Sequence, residues 1–220
     1  MILVLLGPPG AGKGTQAPRL CADLDLRQLS SGDVLRAEKR KGTPLGDQVA
    51  WFMVSGNLVP DAIVTEVMLT QLKDPAGHRG FLLDGFPRTA TQAESLDKSL
   101  RSKGKRVNLV LSLQVADEVI VERITGRRIC PTCARVYHLR YHPPAQLDIC
   151  DVDQSPLILR DDDTVPVVAK RLATYHEMTQ PLEMYYREQG VLAEVDAAQS
   201  PDEVFARMIE IVRSRWEGGS

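Results

Sequence analysis

Gly7-Pro8-Pro9-Gly10-Ala11-Gly12-Lys13-Gly14-Thr15 decides how this chain is read. The stretch follows a short apolar run, Ile2 to Leu6, which reads as a buried strand. A strand, a glycine-rich loop, a lysine and then a helix make a grip for a polyphosphate. The glycines let backbone N–H groups turn inward, and the helix aims the positive end of its dipole at the same point. Lys13 then reaches the β- and γ-phosphates. A plain strand-to-helix turn would account for the glycines but not for the lysine at this spacing.

The usual pattern has Ser or Thr directly after the lysine, where its hydroxyl binds Mg²⁺. Here Gly14 stands in that place and the hydroxyl comes one residue later, at Thr15. The metal would then sit among phosphate oxygens and water, as Mg²⁺ readily does. That arrangement suits a small nucleotide kinase better than a switch GTPase or a motor ATPase.

The 220 residues suit one domain with insertions. A net charge of −2 gives no reason to expect nucleic acid or an anionic membrane as partner. No apolar run approaches the roughly 20 residues that span a bilayer. The first residues carry no basic stretch of the signal-peptide kind and run straight into the phosphate loop. Cys21, Cys130, Cys133 and Cys150 suit a reducing compartment, the cytoplasm, where thiols bind metal more often than they pair.

Further apolar runs at Phe81 to Leu83, Val107 to Leu113 and Val191 to Val195, with a weaker one at Arg27 to Leu29, alternate with helical stretches. Continuous rather than alternating runs suggest strands buried on both faces. The expected class is α/β, a parallel sheet with helices on both sides. Asp61, after Pro60, is expected to cap a helix running to about Leu72. Ser200-Pro201-Asp202-Glu203 reads as a capping box. Pro181 should kink or split the stretch from Val165 to Glu188 near Met178. Residues 30 to about 59 (helical over Ser31 to Arg40 and Pro44 to Ser55) and 128 to about 163 break the alternation and read as insertions. The tail Glu217 to Ser220 is expected to fray.

Asp84 ends a strand in Leu82-Leu83-Asp84-Gly85-Phe86-Pro87-Arg88. At the carboxyl end of a strand beside the phosphate loop, its carboxylate can hold a water of the Mg²⁺ shell. Arg88 offers a planar pair of donors for a phosphate. Cys130-Pro131-Thr132-Cys133 and Cys150-Asp151-Val152-Asp153 have the spacing of a structural Zn²⁺ site. Asp153 is the favoured fourth ligand because it completes the second knuckle, with Asp151, His138 and His142 as competitors. Arg36, Arg88, Arg123, Arg127, Arg160 and Arg171 flank the two insertions, where several cations would be needed if two phosphorylated molecules met. Cys21, His78 and His176 read as structural or surface groups, and Trp51 and Trp216 as packing residues.

With these pieces placed, the chain resembles the adenylate kinases of the long, zinc-containing bacterial type. The resemblance runs from Met1 to about Met208. It rests on Gly7 to Thr15, Ser31-Gly32-Asp33-Val34-Leu35-Arg36, Gly56-Asn57-Leu58-Val59-Pro60-Asp61, Asp84 to Arg88 with Gln92, Gly126-Arg127-Arg128, Tyr137-His138, Arg160-Asp161-Asp162 and Arg171-Leu172. It implies a P-loop core with five parallel strands built from residues 1–29, 60–125 and 164–220. It also implies an AMP-binding domain at 30–59 and a zinc-stapled lid at 126–163. ATP would be held by Gly10, Ala11, Gly12, Lys13, Gly14 and Thr15, by Arg123, Arg127, Val136 and Tyr137, and by Gln199. AMP would be held by Ser31, Arg36, Asn57, Leu58, Val59, Gly85, Phe86, Pro87, Arg88 and Gln92. Arg160 and Arg171 would bridge the phosphates, and Lys13, Asp84, Arg88, Arg127, Arg160 and Arg171 would serve catalysis. The implied reaction is MgATP + AMP ⇌ 2 ADP, performed by a monomer.

This chain departs from that pattern at three places. Ser31 stands where many relatives have Thr, Pro9 follows Pro8 in the loop, and Asp153 replaces the fourth cysteine of some zinc lids. Two other readings stay open on sequence alone. One is a kinase for another acceptor. The other is a nucleotide-dependent module whose knuckle grips RNA, which the acidic residues Asp148, Asp151, Asp153 and Asp161 to Asp163 oppose.

Overall fold

The computed structural model describes residues 1–55, 57–72 and 75–217. Gly56, the packing of Trp216 and the fraying of Gly218-Gly219-Ser220 fall outside the described residues or side chains. Five parallel strands form the central sheet: β1 (Ile2–Leu6), β2 (Leu26–Ser30), β3 (Gly80–Asp84), β4 (Leu109–Gln114) and β7 (Leu192–Asp196), in the order β2-β3-β1-β4-β7. All five expected runs are strands, including the weak one at 27–29. Within the run at 107–113 the strand starts at Leu109; just before it the Asn108 backbone N–H donates to the Ile2 carbonyl at 2.9 Å and its side chain accepts the Ile2 N–H, where β1 and β4 begin side by side.

Alternation along β1 explains its unbroken apolar run. Ile2, Val4 and Leu6 face a layer built from α4 (Asp61–Gln71), α5 (Ala90–Arg101) and α8 (Leu182–Glu188). Leu3 and Leu5 face α1 (Lys13–Leu24) and α9 (Pro201–Glu217). Both faces are therefore dry, as a doubly covered parallel sheet requires. The capping box at α9 forms as expected: the Ser200 N–H donates to Glu203 and the Glu203 N–H donates to the Ser200 hydroxyl.

Between β2 and α4 lie α2 (Ser31–Lys39) and α3 (Pro44–Val54). After α6 (Asp117–Thr125), a small antiparallel pair, β5 (Arg127–Ile129) and β6 (Val136–His138), opens the second insertion. The chain rejoins the core through α7 (Val165–Thr174). The break expected near Met178 is a π-helical turn over Tyr175–Thr179, after which Pro181 starts α8. Proline lacks the N–H for the regular ladder, and the wider turn absorbs that defect.

Two expectations are corrected. Asp61 does not cap α4: Pro60 is the cap residue and makes no side-chain bond, while Asp61 is already in the helix. Trp51 does not pack inward. It is 62% exposed and meets Phe52 edge to face.

Candidate functional site

The phosphate loop leaves the carboxyl end of β1 and enters α1 at Gly12, which has the left-handed φ of +99°. Gly10, at φ +81°, lies so close to α6 that a Cβ would stand 2.7 Å from the Ile124 side chain. Lys13 Nζ donates to the carbonyls of Gly7 at 2.6 Å and Pro8 at 2.8 Å, which folds it over the loop. Burial pulls its pKa down to about 8, against an upward pull from Asp84. Asp84 sits beside Leu5 in the sheet register, so β3 delivers the carboxylate to the loop. Burial raises the Asp84 pKa, and Lys13 and Arg88 oppose that rise.

The turn after β3 organises a second set of groups. Gly85, at φ +72°, accepts the Ser31 hydroxyl at 2.6 Å and Arg88 Nε at 2.8 Å on its carbonyl. A Cβ there would stand 2.8 Å from Arg88 Nη2 and 2.9 Å from Ser31 Oγ. Phe86 and Pro87 are buried beneath the turn. Burial first, then Arg171, brings the Arg88 pKa down to about 10. Arg36 pairs with Asp33 at 2.5 Å. Asn57 donates to Ser55 Oγ at 3.0 Å, Leu58 is half-buried, and Val59 joins the core beneath them. Gln92 is fully buried, and its Oε1 accepts the Arg88 N–H at 2.8 Å.

Three more arginines converge from the second insertion and α7. Arg127 forms a two-pronged pair with the fully buried Asp163, at 2.8 and 2.5 Å. Arg171 donates to the Asp162 carbonyl and carboxylate, both at 3.0 Å. Arg160 Nε is buried with no hydrogen-bond partner among the described residues. Burial, Arg127 and Arg36 draw its pKa down to about 10. Cations crowded this closely raise one another's energy, and anionic oxygens would relieve them. At the far corner, Arg123 donates to the Ala197 carbonyl at 2.8 Å, two residues before Gln199, whose amide donates to Asp196.

The metal cluster forms as spaced. Cys130, Cys133, Cys150 and Asp153 offer ligand atoms all within 4.8 Å of one another. A tetrahedral zinc with Zn–S near 2.3 Å sets its sulfurs about 3.8 Å apart. Cys133 and Cys150 Sγ are 3.6 Å apart, and Cys130 Sγ lies 3.2 Å from Asp153 Oδ2. The donors and spacing therefore fit Zn²⁺. The competitors are engaged elsewhere. Asp151 accepts the Ala145 N–H, His138 accepts the Arg140 and Tyr141 N–H groups, and His142 stacks on Tyr137. Val136 is exposed, but Tyr137 is buried in the second insertion, where its hydroxyl accepts the Asp151 N–H at 2.8 Å beside Cys150.

Comparison with known proteins agrees with this geometry. A model of the adenylate kinase family matches residues 5–191. The chain belongs to the adenylate kinase family. It is 47% identical over 206 residues to the adenylate kinase of Anaeromyxobacter sp. (strain Fw109-5), covering 94% of this chain and 96% of that one. It is 44% identical over 217 residues to the adenylate kinase of Moorella thermoacetica, covering 99% and 100%. The adenylate kinase of Lachnospira eligens is 44% identical over 212 residues, covering 96% and 100%.

Within this adenylate kinase framework, sequence reasoning missed several partners. Spacing alone gives Asp162 and Asp163 no partners, whereas in the fold they aim Arg171 and Arg127. Thr179, in the π turn, donates to the Arg88 carbonyl at 2.8 Å and ties that loop to α8. The run Arg160-Asp161-Asp162-Asp163 held the signal for the first pair. Nothing local marked Thr179, which lies 91 residues from Arg88.

Proposed function

We propose that this adenylate kinase transfers the terminal phosphoryl group of ATP to AMP in a site shared by the phosphate loop, residues 30–59 and the lid at 126–163. The activity itself, ATP and AMP giving two ADP, is that of the family. The observation that carries the residue assignment is the cation cluster. Lys13, Arg36, Arg88, Arg127, Arg160 and Arg171 come from all three regions, burial and neighbouring cations draw down the pKa values of Lys13, Arg88, Arg160 and Arg171, and Arg160 Nε is buried without a partner among the described residues.

Gly10, Ala11, Gly12, Lys13, Gly14 and Thr15 hold the ATP phosphates, with Arg123, Val136, the Tyr137 main chain and Gln199 around its base. Ser31, Arg36, Asn57, Leu58, Val59, the Gly85–Arg88 turn and Gln92 hold AMP. The acceptor is a phosphate with a second pKa near 6, so it is already largely ionised at neutral pH and needs no base. Catalysis then consists of alignment and of stabilising charge in a loose transition state. Arg88 and Arg171 orient the acceptor, while Lys13, Arg127 and Arg160 meet the charge on the transferred group. Asp84 would hold the water shell of a magnesium ion bound with ATP, which would supply positive charge to the phosphate oxygens. Zinc on Cys130, Cys133, Cys150 and Asp153 is structural. Water is a rival acceptor, so closure of both insertions must exclude it. The whole set comes from one chain, which supports action as a monomer. Acidic residues in the lid oppose RNA as a partner, and three closely spaced free thiols suit the cytoplasm.

Lys13→Ala and Arg88→Ala are expected to fold normally and to lower turnover by about a thousandfold or more. Near-native turnover from either folded variant would contradict the assignment.

A further inference from the structure

Asp61 spends its carboxylate across the acceptor side of the site. Its Oδ2 accepts the Thr89 hydroxyl at 2.7 Å and its Oδ1 accepts Gln92 Nε2 at 2.7 Å. Thr89 and Gln92 are both buried, and Asp61 is half-buried. Thr89 in turn accepts the Gln92 N–H and caps α5. The other end of the Gln92 amide accepts the Arg88 backbone N–H at 2.8 Å. Asp61 also follows directly on Asn57 to Pro60, so one carboxylate ties the 57–60 strap to the Arg88–Gln92 turn.

We propose that Asp61 is a positioning residue that fixes which way round the Gln92 amide points, and thereby lets the acceptor pocket prefer adenine over a 6-oxopurine. The inference rests on the reading of Gln92 as an acceptor-site residue. An ionised carboxylate can only accept, and a backbone N–H can only donate. Between them, only one orientation of the amide satisfies both neighbours. One N–H and one carbonyl lone pair of Gln92 remain, in a fixed order. Adenine presents an amino donor beside a ring-nitrogen acceptor. A 6-oxopurine presents a carbonyl acceptor beside a ring N–H donor, the reverse order. A pinned amide suits one edge and leaves unpaired groups against the other, which costs more than a weak bond.

Asp61→Asn removes one of the two pins, because the new amide can donate as well as accept. Only the Arg88 backbone N–H then holds Gln92 against turning end for end. Steady-state kinetics with AMP and GMP as acceptors, alongside KM for ATP and a thermal melt, read the result. Asp61→Asn should raise KM for AMP by about 10- to 100-fold and shrink the AMP-over-GMP ratio of kcat/KM by at least about 10-fold. KM for ATP should stay within about twofold, since the donor side is untouched. Asp61→Glu keeps an acceptor-only group and should keep most of the ratio even if KM shifts. An unchanged ratio in Asp61→Asn overturns the proposal, as does an equal rise in both KM values. If Asp61→Asn does not fold, the ratio in Asp61→Glu decides: retained, it supports the pin, and lost, it overturns it. Gln92→Ala separates the two readings. If it leaves KM for AMP unchanged, the acceptor-site assignment itself fails. If it raises KM for AMP while Asp61→Asn does not, only the inference about Asp61 fails.

Discussion

The two insertions are held in place by different physics. Residues 30–59 borrow the main core: Val49 and Val59 are buried in the same apolar cluster as β1 and β3, and Val34, Leu35, Phe52 and Met53 pack against it. The second insertion, at 126–163, has no such loan. Among the described residues its buried apolar cluster consists of Cys130, Tyr137, Cys150 and Leu157, and two of those belong to the group that could hold the metal. Meanwhile Leu147 is 72% exposed and Val152 is 59% exposed. A segment with so little core needs a staple, and four converging ligands supply one. The contrast implies that one insertion is stabilised jointly with the sheet, while the other is a separately folded flap attached through β5 and α7.

Removing the metal should show that difference most strongly. Cys130→Ser, or treatment of the zinc-loaded protein with a chelator, should lower the first melting transition by about 10 °C. Turnover at 25 °C should fall far less. Loss of activity with the melting curve untouched would mean the metal acts on the reaction rather than the flap. A smaller effect is expected from Val49→Ala, which opens a cavity where α3 meets the main cluster and should cost about 2 kcal/mol. Because that cluster is shared, one cooperative transition should shift as a whole, and a separate early transition would contradict a common core. The smallest effect belongs to His176, which sits in the π turn between α7 and α8. Its bonds to Gln180 and then Asp117 raise its pKa above the ordinary 6.5. A raised folded pKa gives stability that is complete below about 6.5 and is lost as pH rises through the folded value. His176→Gln should therefore lower the melting temperature at pH 5.5 by about 1 °C more than at pH 8.

Sequence alone carried the sheet, the phosphate loop and the cysteine ligands, for a common reason. Each is written locally: an unbroken apolar run, a glycine-rich spacing, a pair of knuckles. Even the π turn was foreshadowed by Pro181. What stayed hidden depends on residues far apart in the chain. Asp61 looked like a cap because aspartate is among the preferred residues at a helix N-cap. Its real partners, Thr89 and Gln92, lie 28 and 31 residues away on another helix. Tyr137 could be tied to ATP only by resemblance, and that could not reveal that its ring turns toward Cys150. Trp51 shows the limit of composition, since a large aromatic on a short insertion had too little core to cover it.

The most direct measurement is a coupled assay of the purified protein with MgATP and, separately, AMP, CMP, UMP and GMP as acceptors. A site that aligns ATP with AMP and shuts out water predicts that AMP is strongly preferred, that two ADP appear for each ATP consumed, and that little phosphate is released when no acceptor is added. No ADP from AMP, a preference for a pyrimidine acceptor, or steady hydrolysis of ATP without an acceptor would contradict it.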